Sequence, residues 1–154
     1  MSRLTKYITA ILVLVALGYF GNKGVQTYLG TQAVGDLSFR IYSLDEAKEV
    51  AKKEGKLVLA DYSAIWCPSC RKLDTQVFAN TEVAAEIDSN FVYARLDYDS
   101  EEGVEFAEQH ALVGFPRVLI LDAVGNKLTE MPLTFDPEEY LLNLQRVLTA
   151  FTGS

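Results

Sequence analysis

Soft metal ligands are scarce in this chain, which has two cysteines and one histidine among 154 residues. Structural zinc usually takes four Cys or His ligands, so one chain alone does not supply a site, and no metal or cofactor is expected. His110 closes an acidic helical segment and is read as an exposed or partly packed side chain. Positive charge is short as well, with 14 Lys and Arg against 21 Asp and Glu, a net of −7. Over residues 37–154 the count is 11 against 20, or −9. Nucleic-acid binding needs a basic face for phosphate contacts, and this composition speaks against it. Acidic pairs such as Asp45-Glu46, Glu101-Glu102 and Glu138-Glu139 are read as solvated helix surface. Internal repeats and low-complexity segments are also missing. The length and a hydrophobic content of 49% suit one domain plus a short appendage.

The first residues differ from the rest. Ser2-Arg3-Leu4-Thr5-Lys6 is basic, and the stretch from Tyr7 to Asn22 then carries no charge, running through Ile11-Leu12-Val13-Leu14-Val15-Ala16-Leu17. It falls short of the ~20 apolar residues that span a bilayer, and a start at Leu4 brings it close. Two readings fit residues 1–22. A signal peptide has this basic region, this apolar region and a small-residue site at Ala16-x-Gly18. An uncleaved anchor keeps Arg3 and Lys6 in the cytoplasm, and Tyr19-Phe20 suit an interfacial belt, which favours the anchor. Both readings place the rest of the chain outside the cytoplasm. Gly21, Gly24, Gly30 and Gly35 lie among polar residues. Residues 23–38 are therefore read as a linker that lets the domain, residues 39–154, stand off the membrane.

Both cysteines lie in Trp66-Cys67-Pro68-Ser69-Cys70, after the apolar run Lys56 to Tyr62 and before Arg71-Lys72-Leu73. The run reads as a buried strand and the following residues as a helix to about Phe78. A dithiol at such a junction sits where unpaired N–H groups and the helix dipole favour a thiolate. Pro68 fits the first helical position, where its missing N–H is harmless. Cys67 is the expected nucleophile. Cys70, one turn further on and turned inward, is the expected resolving thiol. A structural bridge gains little from closing so short a loop, so a redox-active disulfide is the better reading.

Phe39 to Tyr42 is a strand candidate, and Ser43-Leu44-Asp45-Glu46 has the capping-box spacing of a helix that stops at Gly55. Thr81 to Asp88 and Glu101 to His110 read as helices. Phe91 to Asp97 and Arg117 to Asp122 read as strands. Val124-Gly125-Asn126 turns into a hairpin strand from Lys127 to Met131. Asp136-Pro137-Glu138-Glu139 opens a closing helix to about Phe151. Alternating strands and helices with a final hairpin give an α/β fold, a mixed sheet covered on both faces.

Three further features bear on chemistry. Asp61 is a carboxylate inside an apolar strand, six residues before Cys67, placed to take the Cys70 proton through water or else to face solvent at a strand edge. Trp66 either shields the sulfurs or meets a partner, or else packs in the core. Gly114-Phe115-Pro116 precedes a strand, with Pro116 in a cis bond or in an ordinary trans loop.

Taken in order, Asp61, Trp66, Cys67, Cys70 and Val113-Gly114-Phe115-Pro116 resemble the thioredoxin superfamily over roughly residues 39–152. Lys56 to Asp61, Cys70 to Leu73 and Val77 to Val83 look most like the C-terminal thioredoxin-like domain of DsbD membrane reductases. The resemblance implies a thioredoxin-like fold with Cys67 as nucleophile, Cys70 as resolving thiol and Asp61 as buried acid. It also implies a cis Pro116 beside the sulfurs, and a Phe115 backbone that pairs with substrate. Protein disulfides and a separate electron-donating redox protein are the implied partners, with the bacterial inner membrane facing the periplasm as the location, or the periplasm after cleavage. Pro68-Ser69 stands where thioredoxins carry Gly-Pro, so the direction of electron flow stays open between reductase and oxidase or isomerase. Arg117 stands where threonine is usual and adds positive charge near the site, to stabilise thiolate or select an acidic partner. A non-catalytic binding module with a vestigial dithiol is the remaining reading.

Overall fold

In the computed structural model, residues 3–151 are described. Four strands form a mixed sheet: β1 (Leu57–Ser63), β2 (Phe91–Asp97), β3 (Arg117–Leu121) and β4 (Lys127–Glu130), in the order β2-β1-β3-β4. The central strand β1 pairs parallel with β2 and antiparallel with β3. A parallel pair needs a long crossover, which α3 (Pro68–Leu73), a turn at Asp74–Phe78 and α4 (Thr81–Asn90) supply. The remaining helices are α1 (Arg3–Gly35), α2 (Leu44–Glu54), α5 (Glu101–Gln109) and α6 (Pro137–Phe151).

Side chains alternate across β1, so its two faces build separate cores. Leu59 packs with Leu73, Phe78, Ile87, Tyr93 and Tyr140 beneath α3, α4 and α6. Val58, Ala60 and Tyr62 pack with Ala47, Ala51, Phe106 and Leu119 on the opposite side. The capping box at Ser43 and Glu46 starts α2, and Gly55 ends it in the left-handed conformation at φ 68°. Glu102 of α5 accepts from the Leu44 N–H at 2.9 Å, tying those two helices together.

Two expectations need correction, and a third gains a detail. Phe39 to Tyr42 is not a strand. Tyr42 makes one parallel bridge to Ala94, with its N–H donating to the Tyr93 carbonyl at 3.0 Å. Ser43 caps α2 immediately afterwards, which leaves no length for a ladder. The helix after the dithiol does reach Phe78, its last turn from Asp74 widened into a π turn in which the Ala79 N–H donates to the Asp74 carbonyl at 2.8 Å. Residues 23–38 do not form a loose linker, because α1 continues through them to Gly35. Each helical glycine costs about 1 kcal/mol relative to alanine. Docking offsets this, since Gly30 and Ala33 are buried against the domain.

Candidate active site

Cys67 is the N-cap of α3, with Pro68 at the first helical position. Its Sγ accepts from the Cys70 N–H at 3.1 Å. Both cysteines are free thiols. Cys67 is 5% exposed and Cys70 1%, so any attacking sulfur is the former. Cys67 is nonetheless more enclosed than an open nucleophile, because Trp66 and Phe115 pack against the pair. The Cys70 thiol, aided by the Cys70 and Ser69 N–H groups, holds the Cys67 pKa down to about 6 against burial and the charge of Asp61. Cys70 moves the opposite way. The hydrogen bond to Cys67 and burial push its pKa far up. One sulfur is thus prepared to be an anion and the other to keep its proton.

Beneath α3 lies a buried polar cluster. Asp61 is fully buried, its Oδ1 accepting from Ser63 Oγ at 2.6 Å and its Oδ2 from the Tyr93 hydroxyl at 2.7 Å. Arg95 stands opposite Asp61 in the β1–β2 register and donates to Oδ2 at 3.1 Å. The same guanidinium donates to both oxygens of Asp74, at 2.8 and 3.2 Å. Two carboxylates therefore share one cation, and the shortfall shows on Asp74. Burial raises its pKa to about 6, although Arg95 pulls the other way. Burial also works against charge on Arg95, but Tyr93, Asp61 and Asp74 outweigh it and leave its pKa raised.

Aromatic rings form the rim. Trp66 meets Phe115 edge-on with ring centres 5.5 Å apart, and Tyr98 lies 4.9 Å from Phe115. The Trp66 indole N–H donates to Asp99 Oδ2 at 2.7 Å. The Phe115–Pro116 peptide bond is cis. A groove of about 340 Å³ runs beside it, lined by Leu73, Phe115, Pro116, Arg117, Met131 and Tyr140 among others. The Tyr140 hydroxyl there is buried and has no hydrogen-bond partner among the described residues. Arg117 does not present a free charge. It donates to Glu130 at 2.7 Å and to the Val113 carbonyl at 3.3 Å.

Trp66, Cys67, Cys70 and Phe115 thus come together in one cluster, with Pro116 and Arg117 along the adjoining groove. Asp61 lies in the layer below. Sequence reasoning missed Tyr93, Arg95 and Asp74. The signal for Arg95 was present, a charge inside the apolar run Phe91 to Asp97, as Asp61 is inside its own strand.

A Cys-x-x-Cys pair whose first sulfur caps a short helix, packed against Trp66 and Phe115 at the end of a mixed sheet, belongs to a thioredoxin-like fold. The thioredoxin-like family model matches residues 40–123, and the chain belongs to that family. It is 32% identical over 93 residues to the thiol:disulfide interchange protein DsbD of Colwellia psychrerythraea, covering 58% of this chain and 15% of that protein. The chain therefore spans only a small part of that relative. Among solved structures, a thioredoxin from Thermus thermophilus superposes with TM-score 0.66 at 25% identity, covering 76% of this chain and 94% of that one. The oxidised C-terminal domain of DsbD from Neisseria meningitidis shares the fold, with TM-score 0.55 at 18% identity over 66% of this chain and 89% of that one.

Proposed function

We propose that the chain is a membrane-tethered, extracytoplasmic thiol:disulfide oxidoreductase that reduces protein disulfides. The observation that carries the dithiol exchange itself, in either direction, is Cys67 at the N-cap of α3 with its Sγ accepting from the Cys70 N–H at 3.1 Å, so that Cys67 favours thiolate and Cys70 thiol. The Cys67 thiolate attacks one sulfur of a substrate disulfide. The substrate S–S bond breaks, one substrate thiolate leaves, and a mixed disulfide with Cys67 forms. Cys70 then gives its proton to a base and attacks Cys67 Sγ. This releases the second substrate thiolate and leaves a Cys67–Cys70 disulfide. Two electrons have moved to the substrate, and a separate dithiol protein restores the reduced pair.

Asp61 is the base in this scheme, acting through water, and its charge already bears on both sulfurs. Phe115 and Pro116 supply the backbone edge beside which a substrate strand lies, and Trp66 and Arg117 flank it. The tether is α1, one helix long and apolar enough to cross a membrane. The DsbD relatives support a periplasmic face of a bacterial inner membrane as its location.

The purified full chain is expected to reduce insulin when supplied with dithiothreitol, and Cys67→Ser is expected to abolish the activity. Unchanged turnover in Cys67→Ser overturns the assignment. An oxidase reading is favoured by one observation: a thiolate held near pKa 6 stabilises the reduced form, which makes a site more oxidising. A reduction potential near about −270 mV supports the reductase, and one near about −120 mV the oxidase.

A further inference from the structure

The second half of α1 is part of the active-site wall. Lys23, Gln26, Gly30 and Ala33 follow one another at helical spacing and are all partly or fully buried, whereas Arg3 to Asn22 are exposed throughout. This stripe packs on α3 and on the π turn. Gly30 lies so close to the loop before Cys67 that a Cβ on it would overlap the Ile65 carbonyl oxygen. Gln26 accepts from Arg71 of α3. Lys23 Nζ sits 4.8 Å over the Trp66 ring and 3.7 Å from Asp99, the residue that holds the Trp66 indole.

These contacts fix how far the dithiol can travel from the lipid. A flexible linker over residues 23–38 would give a root-mean-square reach of roughly 22 Å and a full extension of roughly 55 Å. A continuous helix sets Gly30 about 15 Å along the axis from Phe20, with no hinge between them. Resting on the tethered-oxidoreductase reading above, we propose that α1 is a rigid strut that holds the Cys67 site against the membrane surface. Its substrate class is then disulfides of membrane-bound proteins that lie close to the lipid, not disulfides of freely diffusing ones.

The test uses the full chain, reduced beforehand and embedded in phosphatidylcholine nanodiscs, in single-turnover reactions without added reductant. The probes are one peptide disulfide in three forms: soluble, coupled to a lipid headgroup by a short spacer, and coupled by a long polyethylene glycol spacer. The unaltered chain is expected to reduce the short-tethered form about tenfold faster than the long-tethered one, an effective-concentration advantage. A flexible Gly-Ser insertion between Gly21 and Asn22 leaves the seam intact and is expected to bring that ratio toward one, with the soluble peptide reduced as before. Gly30→Leu, which drives the helix from Ile65, is expected to lower the ratio too.

Trp66 is the sole tryptophan, so its emission reports height directly. Nitroxide-labelled headgroups are expected to quench it in the unaltered chain and less in the insertion variant. Reduction of the soluble peptide with equal ratios and equal quenching in both chains overturns the strut alone. Failure to reduce even the soluble peptide overturns the oxidoreductase reading beneath it.

Discussion

On one side of the central sheet, Val58, Ala60 and Tyr62 of β1 meet Ala47, Phe106 and Leu119 in an apolar layer. On the other, the same strand presents Leu59 and then Asp61 and Ser63, which join Tyr93, Arg95 and Asp74 in a buried hydrogen-bonded cluster beneath the dithiol. The backbone is shared, but the two faces carry different risks. The apolar face loses stability in proportion to the volume removed from it. The polar face depends on completeness, since a buried ion pair contributes little until one partner is lost, and the remaining charge is then stranded.

The largest break in that contrast is Arg95→Met, which strands two buried carboxylates. It is expected to destabilise the domain by about 3–5 kcal/mol, read from urea unfolding. Leu119→Ala on the apolar face comes next, at about 3 kcal/mol from the cavity it leaves. Cys67 alkylation rates are expected to be unchanged by it, which separates scaffold from chemistry.

Asp74 offers a smaller effect with a sign. Its folded pKa is raised from 3.8 to about 6, so the stability it contributes is full below about pH 3.8 and lost as pH rises through about 6. Asp74→Asn is expected to remove about 2–3 kcal/mol of that pH dependence, seen by comparing urea midpoints at pH 4 and pH 7.

Smallest is Asp61→Asn, expected to slow resolution of the mixed disulfide by about tenfold, or about 1.4 kcal/mol. Asp61 raises the Cys67 pKa, so the variant's iodoacetamide midpoint is expected below that of the unaltered chain, near pH 6. A midpoint that moves upward instead contradicts the charge relation between Asp61 and Cys67.

What was legible in the sequence was local. The capping box at Ser43, the left-handed stop at Gly55, and the proline after Cys67 each announce a structure through neighbours a few residues away. The apolar runs around Val58, Val92 and Val118 likewise mark the strands that hold the site. The Asp61–Arg95 pair was not legible, because it exists only once β1 and β2 are set parallel in that register, 34 residues apart. Nor was the continuation of α1. Its glycines argue for a loop on propensity alone, and only the docked surface beside Ile65 outweighs that preference.

The sheet's outer margins have a bearing on life in a crowded compartment. Unpaired strand borders recruit neighbours and seed aggregates. Here one border is β4, four residues long and carrying Lys127 and Glu130, which pair with each other at 3.0 Å. The opposite border, β2, has Tyr42 laid along it, its backbone occupying hydrogen-bonding groups of Tyr93 and Arg95. Charge on one border and a crossing chain segment midway along the other make each a poorer template for a misfolded stranger to join.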